Sequence, residues 1–215
     1  MKLLPERIVC LTTETVEVLY MLGGQDRIVG ISGYTTRPEI ARREKPKVSA
    51  FTTANIDKIL ALKPDLVLGF SNLQADIAAE LIKAGIEVHV FNQRSIDDIL
   101  LMIITTGRLV GASEKAKSIV ENLTLQIAEA RQVGNSLPHK PSVYFEEWND
   151  PMMCSIRWAA ELIDIAGGED CFPELSQFHS ARERVVTPAQ VLERMPDIII
   201  GSWCGRKFAT EKVVA

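Results

Sequence analysis

The sequence predicts an α/β protein of two Rossmann-like lobes with mainly parallel sheets, joined by a long backbone helix and with the second lobe cut short at its C-terminus. Three observations carry this expectation. Short apolar runs alternate with segments of helical period, one helical stretch near the middle is much longer than the rest, and a pattern from the first half recurs in the second. Strand and helix alternating at close spacing is what βα units and a parallel sheet require.

Residues 8–11 read as the first strand and residues 14–22 as a helix closed by Gly23-Gly24, since glycine takes the left-handed C-cap without steric cost. Residues 28–31 form a second strand. Residues 56–62 form a helix that stops before Pro64, whose ring disfavours helical backbone in the residue preceding it. Residues 66–68 are apolar on both faces, as in a buried parallel strand. Residues 77–84 are helical with Gly85 as cap, and residues 86–91 form a further strand in which His89 reads as a packed core residue.

From residue 96 to residue 131 the pattern is almost wholly helical, broken at Gly111-Ala112. Ser113 and Glu114 start the second part, whose apolar positions Ala116, Ile119, Val120, Leu123, Ile127 and Ala130 fall on one face. Such a helix is roughly 30 Å long, enough to lie across two lobes. The turn-rich stretch 134–141 then leads into a strand at residues 142–145. The expected division is an N-terminal lobe at 1–94, a helical linker at 95–140 and a C-terminal lobe at 141–215.

The second lobe is inferred from an internal repeat. Ile59-Leu-Ala-Leu-Lys-Pro64-Asp65-Leu-Val-Leu-Gly69 matches Val191-Leu-Glu-Arg-Met-Pro196-Asp197-Ile-Ile-Ile-Gly201 at a constant offset of 132 (191 − 59). Leu22-Gly23-Gly24-Gln-Asp26 matches Ala166-Gly167-Gly168-Glu-Asp170 at an offset of 144 (166 − 22). In the first lobe Gly69 is followed by a helix and a strand. Gly201 is followed by 14 residues (215 − 201), too few for both, so the last strand is expected to be an uncovered edge.

Composition narrows the functions. The chain has a formal net charge of −4, which argues against a nucleic-acid partner. No apolar run reaches the roughly 18 residues of a membrane span. Pro5, Glu6 and Arg7 interrupt any leader-like h-region, so the sequence as written reads as cytoplasmic. Cys10, Cys154, Cys171 and Cys204 form no C-x-x-C pair, and reduced thiols are expected.

Two α/β lobes place a ligand at the carboxyl ends of their strands. Tyr34, Phe51 and Phe70 fall just past strand ends of the first lobe, and the run Glu146-Glu147-Trp148-Asn149-Asp150 and Trp203 past those of the second. Aromatic groups there suit a large, flat, partly apolar ligand, although Phe51 and Phe70 equally suit anchoring of loops onto the lobe. Glu146 and Glu147 have no partner histidine motif to complete a catalytic set, and hydrogen bonding to ligand is the expected role. His139 reads as solvated, whereas His179 lies in a loop that could reach the ligand or a metal centre. No phosphate-binding loop, nucleophile elbow or H-E-x-x-H motif occurs, so no catalytic residues, resident cofactor or protein-bound metal are expected.

The stretches Arg7-Ile-Val-Cys-Leu11, Gly30-Ile-Ser-Gly-Tyr34, Asn55-Ile-Asp-Lys-Ile-Leu-Ala-Leu-Lys-Pro64-Asp65 and Phe145-Glu-Glu-Trp-Asn-Asp-Pro151 resemble the cobalamin-binding members of the ABC-importer substrate-binding proteins. The resemblance runs over nearly the whole chain and extends to the superfamily that binds cobalamin, ferric siderophores and haem. It implies a periplasmic or extracytoplasmic, monomeric protein that holds cobalamin in an inter-lobe cleft and delivers it to a permease. It also implies ligand contacts at Tyr34, Phe51, Phe70, Glu147 and Trp148. The family docks its permease through one acidic residue on each lobe. Asp57 matches the first, while the second falls on Ala189, with Glu193 one turn on as a substitute.

The alternatives are a ferric siderophore or haem, the latter with Tyr34 or His179 as axial donor. From another class comes an enzyme of corrinoid or tetrapyrrole metabolism, with Glu146 or Glu147 and His179 as its catalytic groups. A non-functional remnant would be poorly soluble.

Overall fold

The computed structural model describes residues 3–203 and 208–210, so Cys204 and most of the tail after Gly201 lie outside the described residues. The chain divides into two units, one comprising Met1–Gln93 and Asp97–Glu121 and the other Arg94–Ile96 and Asn122–Ala215.

The first unit is built on β1 (Ile8–Cys10), α1 (Thr13–Leu22), β2 (Ile28–Ser32), α2 (Glu39–Glu44), β3 (Lys47–Ser49), α3 (Ile56–Ala61), β4 (Leu66–Phe70), α4 (Ala75–Lys83) and β5 (Val88–Phe91). Its five strands run in the order β3-β2-β1-β4-β5, every neighbouring pair parallel. β1 and β4 are central, which is why their sequences are apolar without alternation. Val9, Leu11, Val67, Ile59, Ile77 and Leu81 form the core between sheet and helices. α1 ends where expected. Gly23 has φ 81°, and the N–H groups of Gly23 and Gly24 close onto the carbonyls of Tyr20 and Leu19. The Asn55 side chain caps α3 by accepting the N–H of Lys58.

α5 (Ile96–Leu109) and α6 (Ser113–Asn135) form the long helical stretch, and the boundary between the units falls within α6. The turn expected from residue 134 is displaced, because α6 continues through Gly134 to Asn135. Gly134 is a packing glycine. A Cβ there would stand 2.5 Å from the Ile165 carbonyl and 2.7 Å from the Gly167 nitrogen.

The second unit contains β6 (Ser142–Glu146), the short hairpin β7 (Trp148–Asn149) and β8 (Met152–Met153), α7 (Arg157–Ile165), β9 (Glu169–Asp170), α8 (Pro173–Ser176), α9 (Pro188–Arg194) and β10 (Ile198–Gly201). Its parallel sheet has the order β10-β6-β9, the same as β4-β1-β2 in the first unit. The repeat is thus realised element by element, with α9–β10 answering to α3–β4 and α7–β9 to α1–β2. Lys63 and Met195, each before the proline of its copy, both have positive φ, 48° and 46°. Gly167, the counterpart of Gly23, has φ 87°. Tyr144, Cys154, Cys171, Phe172, Val186 and Val191 form the core of this unit. Thr187 and Gln190 cap α9 reciprocally around Pro188 at its first position.

Cys10, Cys154 and Cys171 are free and buried. Burial pushes the thiols of Cys10 and Cys154 up to about 12. His89 is only half-buried, because β5 is an edge strand. It lies edge-on to Phe91 at 4.3 Å, and burial lowers its pKa. Among the described residues no helix is long and apolar enough to cross a membrane.

Candidate ligand-binding site

In the first unit Tyr34, Phe51 and Phe70 stand at the carboxyl ends of three parallel strands, β2, β3 and β4. Tyr34 is 55% exposed and Phe51 40% exposed, while Phe70 is half-buried against Phe51 with ring centroids 6.3 Å apart. The Tyr34 turn is fixed from α2. Arg42 Nη1 donates to the carbonyls of Gly33 at 2.7 Å and Thr35 at 3.1 Å. α2 and β3 were missed in the sequence because both are short and carry charged residues, yet they position Tyr34 and Phe51.

The Phe51 and Phe70 segments are held by Gln74, which follows β4 in a single 3-10 turn. Its Oε1 accepts the N–H of Phe70 at 2.9 Å, and its Nε2 donates to the carbonyls of Phe51 at 2.8 Å and Leu11 at 3.3 Å. Nearby, the hydroxyls of Thr35 and Ser49 are buried without a hydrogen-bond partner.

In the second unit Glu146 ends β6 and is buried. Its carboxylate accepts the Tyr144 hydroxyl at 3.1 Å and the Trp203 indole N–H at 2.7 Å, and its carbonyl accepts the N–H of Ser202 at 2.9 Å. Burial, and then the adjacent Glu146 carboxylate, raise the pKa of Tyr144. Trp203 is buried beneath Phe208, whose ring lies so close to Gly201 that a Cβ would overlap it. Glu147 takes an ion pair from Arg184 Nη1, which also donates to the Cys154 carbonyl at 2.7 Å. Arg184 is fully buried, and Arg94 beside it has its pKa lowered by burial and then by the like charge of Arg184. Trp148 sits half-buried in the hairpin, its indole N–H on the Asp150 carbonyl at 2.8 Å.

The structure thus brings Glu146, Trp203 and Tyr144 into one bonded group and Glu147 and Arg184 into another, with Arg94 within their electrostatic reach. His179 lies in an exposed loop. Arg184 and Gln74 were absent from the sequence-based candidates, since an isolated arginine or glutamine carries no motif. Asp57 is exposed in the first turn of α3, Ala189 is exposed in the first turn of α9, and Glu193 is exposed one turn on. Among the described residues no cluster of three His, Cys, Asp or Glu groups could hold a metal ion.

The chain is 29% identical, over 68% of its length and 48% of the relative's, to an uncharacterised ABC transporter substrate-binding lipoprotein of Bacillus subtilis. It is 28% identical over 92% of its length to a vitamin B12-binding protein of Yersinia pestis, and spans 69% of that protein. A periplasmic heme binding protein from Pseudomonas aeruginosa superposes with a TM-score of 0.84 over 98% of this chain and 77% of its own, at 16% identity. That likeness establishes the shared fold. A family model described as periplasmic binding protein matches residues 8–215, and the chain belongs to that family.

Proposed function

We propose that this chain is the binding component of an ABC-type importer and captures a corrinoid, with cobalamin the reference ligand. The observation that carries the reading is the aromatic surface past β2, β3 and β4. Tyr34 and Phe51 are large side chains left substantially in water at the strand ends where α/β proteins take ligands. Their faces suit a broad, partly apolar macrocycle better than a small polar solute. The vitamin B12-binding relative, similar over nearly the whole chain, supports the same choice.

In this reading Glu147, Trp148 and His179 are further residues offered to ligand. Glu146 and Trp203, buried against one another, hold the loop behind them. Asp57 and Glu193 are the acidic groups offered to a permease, and the working compartment is extracytoplasmic.

Titration of the purified protein with cyanocobalamin, followed by tryptophan fluorescence, tests the proposal. A saturable response in the micromolar range is expected, and no response at millimolar ligand overturns it. Haem is the second reading, favoured by the exposed phenol of Tyr34 as an axial donor. Added hemin would then give a bound Soret band that disappears in Tyr34→Phe.

A further inference from the structure

We propose that Gln74 is the positioning residue of the aromatic site, setting where Phe51 and Phe70 stand through their backbones and not by touching ligand. The inference rests on the corrinoid reading only for the identity of what the aromatics meet. Gln74 is 1% exposed, so its side-chain amide has left water completely. A buried primary amide is costly unless its donors and acceptor are used. Here all are used, and every partner is main chain from a different strand end: Leu11 after β1, Phe51 after β3 and Phe70 at the end of β4.

The orientation of the amide follows from those partners, because two carbonyls require the nitrogen and one N–H requires the oxygen. The site is shaped to admit it. A Cβ on Gly69 would stand 3.1 Å from Gln74 Oε1, so glycine at that strand position gives the amide oxygen room to reach the Phe70 N–H. The loop bearing Phe51 is otherwise closed by its own bonds, Ala50 N–H to Thr53 carbonyl and Asn55 N–H to Val48 carbonyl. These shape the loop and do not reach β4. Gln74 ties the two by hydrogen bonds, beside the ring contact of Phe51 with Phe70.

The test combines Gln74→Met, which keeps length and removes all three bonds, with Gln74→Glu, which keeps the acceptor for Phe70 and loses both donors. Binding of cyanocobalamin is measured in the full chain, alone and in a Phe51→Ala background. Amide hydrogen exchange is measured without ligand. Gln74→Met is expected to weaken binding about tenfold, roughly the loss of one to two hydrogen bonds' worth of order. In the Phe51→Ala background the same substitution should weaken it at least threefold less, which a purely structural role would not produce. The Phe70 amide should exchange faster in Gln74→Met and stay protected in Gln74→Glu, while residues 50–53 loosen in both.

An equal loss in both backgrounds, or faster exchange spread evenly over the first unit, overturns the proposal. If the wild-type chain does not bind cyanocobalamin, the corrinoid reading fails by itself. The exchange pattern then decides on Gln74 alone, local loosening supporting it and uniform or absent change refuting it. Should Gln74→Met not fold, Gln74→Glu carries the same comparison through residues 50–53.

Discussion

Asp197 makes in the second unit the bonds that Asp65 makes in the first. The Asp65 carboxylate accepts the N–H of Arg7 at 2.8 Å, and its own N–H donates to the Arg7 carbonyl at 2.9 Å. The Asp197 carboxylate accepts the N–H of Ser142 at 2.8 Å, and its own N–H donates to the Ser142 carbonyl at 2.9 Å. In each copy the aspartate after proline reaches sideways to the start of the neighbouring central strand, β1 or β6. The recurring Pro-Asp is therefore a register clamp, and its recurrence in sequence has a mechanical cause.

Asp65→Ala and Asp197→Ala should each destabilise the protein by about 1–2 kcal/mol, as expected for hydrogen bonds to a charged acceptor that is partly solvated. Because the two clamps belong to different units, the double variant should lose the sum. Urea unfolding of the four proteins checks this. A double variant no less stable than either single one would show that the clamps are not independent.

Arg184 presents a different case. It is a fully buried cation whose Nε makes no hydrogen bond, held by Glu147 and the Cys154 carbonyl. Arg184→Met leaves Glu147 without its partner and should cost about 3 kcal/mol. Adding Glu147→Gln should restore part of that loss, since the stranded charge is then gone. Denaturant unfolding of both variants decides, and a double variant less stable than Arg184→Met would mean that the ion pair is not the source of the cost.

These two cases mark what could be read from the sequence. Pro-Asp followed by three apolar residues is local punctuation, so the repeat and the end of α3 followed from it, as the end of α1 followed from Gly23-Gly24, whereas the strand order around β1 and β6 has no such local sign. Tyr34 and Phe70 were legible because they follow the strands read at residues 28–31 and 66–68, whereas Phe51 follows β3, which was not read. Arg184 and Gln74 act across the fold, 37 residues from Glu147 and 23 from Phe51 respectively, and nothing in their neighbourhoods announces a partner. α2 and β3 were hidden because a six-residue helix and an edge strand holding lysine lack a clear apolar period.

Gly134 was misread for a related reason, since glycine in sequence looks the same whether it turns the chain or admits another backbone. Gly134→Ala places a methyl group against the main chain of Ile165–Gly167, where no flexible side chain can yield. A loss of about 3 kcal/mol is expected. Thermal unfolding checks it, and a variant as stable as wild type would show that α6 can shift without cost.

The Cys10 thiol titrates near 12 in the folded protein against 9.0 for a free thiol, burial raising it and the Thr15 hydroxyl bond only partly opposing that. The fold therefore favours the protonated form. This stabilisation is fully present below pH 9 and is lost as pH rises through 12. Iodoacetamide attacks the thiolate, so at pH about 8.5 Cys10 should remain unmodified until denaturant is added. Peptide mass mapping would show this, and prompt labelling of Cys10 in native protein would contradict its burial.

The repeat also supplies an internal control for the edge of the second sheet. Val67 in β4 is 0% exposed, between β1 and β5, whereas its counterpart Ile199 in β10 is 41% exposed, as are Ile198 and Ile200 at 44% and 42%. Among the described residues β10 pairs on one side only, with β6. An apolar edge strand without lysine or proline is a template for pairing with other chains. Ile199→Lys should therefore cost less than about 1 kcal/mol and reduce self-association, read by light scattering over a concentration series. Val67→Lys, at the same register position of the first unit, should prevent folding of that unit, because it buries an unpaired charge. Were Ile199→Lys as damaging as Val67→Lys, the β10 edge would have to be covered in solution, and its open face would not be the source of association.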